Sequence, residues 1–184
     1  MKHARRSGRY LRVCDPSWSD PLDTTFSSQH GGRWNAQGAF GVLYLNATIT
    51  VAAANARRNY EGEIATLFDL QPGVRPDLQL VDVREAAFVD IVTPAGVRAA
   101  RLPASFPHDV SHATCRRIGA RAYAAGENGI AARSNADATA TTFIGEELAV
   151  FDTALKLVAR KKRIAFDQWY PVETPQRDAP GRES

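Results

Sequence analysis

The stretch Gly31–Asn55, GGRWNAQGAFGVLYLNATITVAAAN, constrains the fold of this chain more than any other. Its glycines at 31, 32, 38 and 41 call for tight turns. The apolar run ending at Tyr44 and Leu45 calls for a strand. The alanines at 52, 53, 54 and 56 then call for a helix slim enough to lie close against a sheet. The same stretch has the makings of a site. An arginine on a glycine-supported turn offers a rigid fork of donors to a phosphate or carboxylate, and Trp34 and Tyr44 offer flat faces to a ring or a ribose. A purely structural reading stands beside it, in which the glycines only make turns and the two aromatics fill the core.

A chain of 184 residues suits one domain with a real core. The expectation is a single domain over residues 1–184, with its core between residues 10 and 170 and a polar tail over 173–184. No apolar run approaches the roughly 20 residues of a membrane span, so membrane insertion is excluded at this level. The basic opening MKHARRSGRY is not followed by an apolar segment, so it does not read as a secretory signal, and a cytoplasmic location is expected. Cys14 and Cys115 lie far apart without CxxC spacing and imply neither a disulfide framework nor a metal site. The net charge of +3 is concentrated in Arg5, Arg6 and Arg9 and in the run from Arg160 to Arg163. Such clusters are solvated faces, or contacts for nucleic acid or an acidic partner.

Alternation predicts strands at Tyr10–Cys14, where Arg12 faces opposite to Leu11 and Val13, and at Gly41–Asn46, Leu67–Leu70, Leu78–Val83, Phe88–Val92, Gly129–Ser134, Glu147–Asp152 and Ile164–Tyr170. Helices are predicted from Thr48 or Thr50 to about Tyr60, from a Thr93 cap and Pro94 through Arg101, and over Pro107–Ala125 with Gly126 as the stop. The polar segment Asp15–His30 reads as a long loop leading into the Arg33 turn. His108 and His112, one turn apart on the predicted helix, lack a third ligand, and no metal is expected. The pattern is α+β, with a mixed, mainly antiparallel sheet and flanking helices. Neither GxGxxG nor GxxxxGK[ST] is present, which argues against Rossmann and P-loop nucleotide sites.

The order YLRVCDP, PLDTTFSSQHGGRWNAQGAFGVLYL, an alanine-rich helix, NGIAARS and ELAVFD resembles the RES domain family, from about Tyr10 to Asp152. The GGRWN…G…LY core is its most specific part. That family is named for an Arg, a Glu and a Ser, and its members are typically toxins of bacterial toxin-antitoxin pairs. The resemblance implies a fold similar to ADP-ribosyltransferase toxins and an activity on NAD as substrate. Members split nicotinamide from the ribose and pass the ADP-ribosyl group to water, phosphate or a protein acceptor. It also implies a partner, an antitoxin with an Xre-like helix-turn-helix domain whose end reaches into the active site; nucleic acid is expected only through that antitoxin. Carried onto this chain, Arg12 matches the early arginine, Arg33 the arginine of GGRWN, Tyr44 the strand tyrosine and Ser134 the late serine. Arg12 and Arg33 would clamp the pyrophosphate, Tyr44 would stack on the nicotinamide or its ribose, and Ser134 would hydrogen-bond a ribose hydroxyl or the carboxamide.

One position departs from the family pattern. The glutamate expected eleven residues beyond Tyr44 is Asn55 here. Asparagine accepts a hydrogen bond from a ribose hydroxyl but carries no charge to stabilise a cationic transition state. Glu61 and Glu63 follow on the predicted helix, but neither shares the face of Asn55 without a bend. Three outcomes stay open: a slowed enzyme, an enzyme using a carboxylate from the Asp15–Asp23 loop, or a non-catalytic protein that binds a nucleotide or an antitoxin in the same groove.

Overall fold

The computed structural model describes residues 1–58, 66–136, 143 and 145–170. Six strands form one sheet: β1 His3–Cys14, β2 Val42–Asn46, β3 Asp77–Ile91, β4 Gly129–Arg133, β5 Glu146–Phe151 and β6 Val158–Ile164. Their order is β1-β2-β5-β4-β3-β6, and β1 also pairs along β3, so the pairings β1-β2-β5-β4-β3-β1 form a closed circuit with β6 added to β3. Every pairing is antiparallel except β3 with β4. The helices are α1 Thr25–His30, α2 Ile49–Arg58, α3 Pro94–Ala99, α4 His112–Ala124 and α5 Phe166–Trp169. The expected α+β class, with a mainly antiparallel sheet and flanking helices, is the observed one.

The central strands are buried on both faces, and alternation along each sorts its residues between two cores. Val42, Ile91, Ile130, Ala132, Ala149 and Phe151 join Trp34, Phe40 and Phe106 in a core shared with α3 and α4. The intervening Leu43, Leu45, Ala131, Leu148 and Val150 join Tyr10, Val81 and Phe88 in a second core. That is why GVLYL reads as an unbroken apolar run. In α2 the small residues Ala52, Ala53 and Ala56 pack on Leu11, Leu78, Phe166 and Trp169. Helix α4 buries Cys115, Ile118, Gly119 and Ala122, the i, i+3, i+4, i+7 spacing of one helical face. Its N-cap is Ser111, whose hydroxyl accepts from Thr114 N, and α3 is capped as expected by Thr93, which accepts from Gly96 N.

Several predicted elements differ. The strand over Tyr10–Cys14 extends back to His3, because the basic opening pairs with β3 and its arginines find acids: Arg5 meets Glu85 and Arg6 meets Glu146. Leu67–Leu70 is a turn rather than a strand, and Phe88–Val92 is mostly the second half of the 15-residue β3. The helix predicted from Pro107 begins at His112, so His108 lies in the preceding turn and does not share a helical face with it. The loop Asp15–His30 ends in α1. The Arg160–Arg163 run is itself strand, β6, while the aromatic segment after it forms α5, burying Phe166 and Trp169. A strand paired on one side tolerates this density of charge, because its exposed side chains reach water. Tyr60, Glu61, Glu63 and the polar tail lie outside the described residues. Among the described residues no helix is long and apolar enough to cross a membrane.

Candidate functional site

The 31–35 turn is locked from two sides. Asn35 is fully buried, and its amide donates to the carbonyls of Ser27 (2.6 Å) and Phe40 (2.9 Å). Its Oδ1 accepts from the Tyr44 hydroxyl (2.9 Å), and that hydroxyl accepts from Trp34 N (3.0 Å). Both hydrogen bonds of the phenol are therefore spent on the turn, and burial raises its pKa, so it remains a neutral donor. The contact is so close that a Cβ on Gly32 would stand 2.4 Å from Tyr44 Oη. From the other side, Arg116 of α4 donates to Gly32 O (2.9 Å), and Gly119 lets the helix touch the backbone of Trp34, where a Cβ would come within 1.7 Å of Trp34 O.

This clamp sets the direction of Arg33. Its guanidinium lies over the rings of Phe106 (4.9 Å) and Trp34 (5.6 Å) and has no hydrogen-bond partner among the described residues. It faces a cleft of about 800 Å³, which Tyr44, Asn55, Arg58, His112 and Glu147 also line. Strand alternation builds the opposite wall. Tyr44 and Asn46 point the same way on β2, and the β2–β5 register sets Asn46 opposite Glu147. Asn55, on α2 above them, donates from Nδ2 to Asn46 Oδ1 (2.8 Å) and to Glu147 Oε1 (3.0 Å). Ser134, just past β4 and fully buried, donates to the same Glu147 oxygen (2.7 Å).

The rim of the cleft is basic. Arg58 lies one turn beyond Asn55 on α2, and Asn135 accepts from both of its terminal nitrogens (2.7 and 2.9 Å). Burial, followed by the charges of Arg116, Arg33 and Arg58, holds His112 below the ordinary imidazole range. The three arginines around it supply positive charge, which attracts an anion.

Of the residues singled out from the sequence, Arg33, Tyr44 and Asn55 line one cleft and Ser134 touches its wall. Arg12 is elsewhere. It shares the face of Tyr10 on β1, opposite to Val13, which does line the cleft. Its guanidinium is buried over Trp18 (5.2 Å) and donates to Asp23 O (3.1 Å). The expected pyrophosphate clamp at Arg12 therefore does not fit its position outside the cleft lining, whereas Arg58 lies on the rim. The acids of the Asp15–Asp23 loop are committed to local turns: Asp15 accepts from Ser17, Asp20 from Leu22 N and Asp23 from Thr25. None of them lines the cleft. Glu61 and Glu63 are outside the described residues. Sequence reasoning missed Arg58, Asn135 and Glu147, and weighed His112 only as half of a metal pair with His108. Arg58 had a signal, the i+3 spacing from Asn55; Glu147 had none, since its neighbours come from strand pairing.

A family model described as the RES domain matches residues 9–173. Against curated protein sequences the chain has no match. Among solved structures it is similar to the MbcT toxin in the crystal structure of the M. tuberculosis MbcT-MbcA toxin-antitoxin complex. The TM-score is 0.73 at 18% identity, over 89% of this chain and 86% of that one. At that identity the likeness is one of fold.

Proposed function

Because the chain belongs to the RES domain family, we propose that it is the toxin of a toxin-antitoxin pair and that its cleft binds NAD and cleaves the bond between nicotinamide and ribose. The observation that carries this reading is the convergence of Arg33, Tyr44 and Asn55 on one basic-rimmed cleft, with Ser134 hydrogen-bonded to its wall. Cleavage leaves positive charge on the ribose while the pyrophosphate must be held still. Arg33 is suited to the pyrophosphate, since its fork is held by two rings and its donors are unspent. Arg58 adds a second cation on the lining of the same cleft. The Tyr44 ring offers a stacking face while its hydroxyl stays with the turn. Asn55 offers an amide oxygen to a ribose hydroxyl, its nitrogen being taken up by Asn46 and Glu147.

The acceptor is water, phosphate or a protein side chain, and the action falls on the cytoplasmic NAD pool. The partner is an antitoxin with an Xre-like helix-turn-helix domain whose end enters the cleft. Phe26, 60% exposed at the cleft lining, suits such a protein contact. Incubating the purified protein with NAD tests the reading. Nicotinamide release is expected in the presence of water or phosphate, falling at least about a hundredfold in Arg33→Ala. Release no faster than that of Arg33→Ala, with cell extract added as a source of acceptors, would overturn it.

The neutral Asn55 favours a second reading, a non-catalytic cleft that holds a nucleotide or the antitoxin. It requires that NAD or ADP-ribose bind without turnover in the same assay.

A further inference from the structure

Glu147 is the single carboxylate among the described residues lining the cleft. It arrives on β5 from 92 residues beyond Asn55 in the chain, yet the two side chains are hydrogen-bonded (3.0 Å). The direction of that bond matters. Asn55 is the donor, so the amide nitrogen turns toward the carboxylate and neutralises none of its charge. Ser134 Oγ donates to the same oxygen, Oε1, at 2.7 Å. Two neutral donors on one oxygen fix the orientation of the carboxylate. The other oxygen, Oε2, has no partner among the described residues. The site thus contains a positioned negative charge in contact with the amide that stands where the family pattern expects one.

We propose that Glu147 is the catalytic carboxylate of this cleft, moved from α2 to β5, and that Asn55 and Ser134 are its positioning residues. The assignment rests on the NAD-cleaving reading given above. In the step, the bond between ribose C1′ and the nicotinamide nitrogen breaks and its electron pair leaves with nicotinamide, which departs neutral. The positive charge passes to the ribose ring, where Glu147 stabilises it. A water oxygen then forms the new bond to C1′ and gives its proton to Glu147, which releases it to solvent. With phosphate as acceptor, no proton transfer to Glu147 is needed and only its charge is used.

The test compares nicotinamide release by the wild type, Glu147→Gln and the exchanged double variant N55E/E147N, with ADP-ribose affinity and thermal melting measured on each. Glu147→Gln is expected to lose at least about a hundredfold in kcat while ADP-ribose affinity changes by less than about threefold. In N55E/E147N the amide and carboxylate trade places within the same contact, so turnover is expected to return to within about tenfold of wild type. Wild-type turnover that Glu147→Gln retains overturns the assignment to Glu147 and leaves the NAD reading standing. No turnover by the wild type overturns both. Should Glu147→Gln fail to melt cooperatively, the double variant decides: recovered turnover supports the relocated carboxylate, and a folded but inactive double variant overturns it.

Discussion

Arg12 and Arg33 both lie over aromatic rings, yet their surroundings oppose each other. The guanidinium of Arg33 opens onto a cleft, whereas that of Arg12 is buried with one nitrogen, Nη1, unpartnered. Burial pushes Arg12 down to about 10, against the opposing pull of Cys14, Asp23 and Asp20. A charge held this way costs desolvation energy that one carbonyl and one ring offset only in part. Replacing it by an apolar chain of similar length should therefore do no harm. Arg12→Met is expected to leave stability unchanged or raise it by about 1–2 kcal/mol in a denaturant titration, with NAD turnover within about twofold of wild type. A tenfold or greater loss of turnover would return Arg12 to the site. The sequence marked both arginines by residue type. Only the side of the strand on which Arg12 falls separates them, and its own alternation with Val13 already carried that hint.

Helix α4 and the 31–35 turn act as one unit, and Gly119 is where they meet. Intrinsic helix propensity favours alanine over glycine by about 1 kcal/mol. Here a Cβ would stand 1.7 Å from Trp34 O, a backbone atom that no rotamer change can move away. Overpacking should win: Gly119→Ala is expected to destabilise the protein by about 1–3 kcal/mol. Its NAD or ADP-ribose affinity should fall as well, because Arg33 follows Trp34. Chemical denaturation with calorimetry checks both, and a stabilised variant with unchanged affinity would show that the helix does not set the turn. The cap of α3 and the stop at Gly126 were legible because they are local, a hydrogen bond and a left-handed turn made within a few residues. The start of α4 was not, since Pro107 marks a turn before the helix instead of its first residue. The last strand was misplaced because aromatic residues satisfy both a strand pattern and a short buried helix.

The closed circuit of strands gives the whole molecule an alkaline limit. Tyr10 is pushed up to about 12, first by burial and then by the charge of Glu146, and burial raises Tyr44 as well. Both phenols bind their protons more tightly folded than unfolded, so the stability they contribute is complete below about pH 10 and is lost as pH rises through their folded values. Arg12 works the other way, since the unfolded chain holds its proton to higher pH, but it is one group against two. Unfolding free energy is expected to decline between about pH 10 and about pH 12, and to decline less in Tyr10→Phe. A curve as steep in that variant as in wild type would remove Tyr10 as a cause. Several properties of this chain follow from its sequence alone: the α+β class, the glycine-borne arginine, the apolar β2 and the small-residue helix behind it. Each depends on periodicity or backbone freedom within one segment, which neighbouring residues suffice to determine. Tertiary structure alone decided which carboxylate faces the cleft. Strand register joins residues about a hundred positions apart, and nothing local to Glu147 distinguishes it from Glu146, whose carboxylate pairs with Arg6 instead.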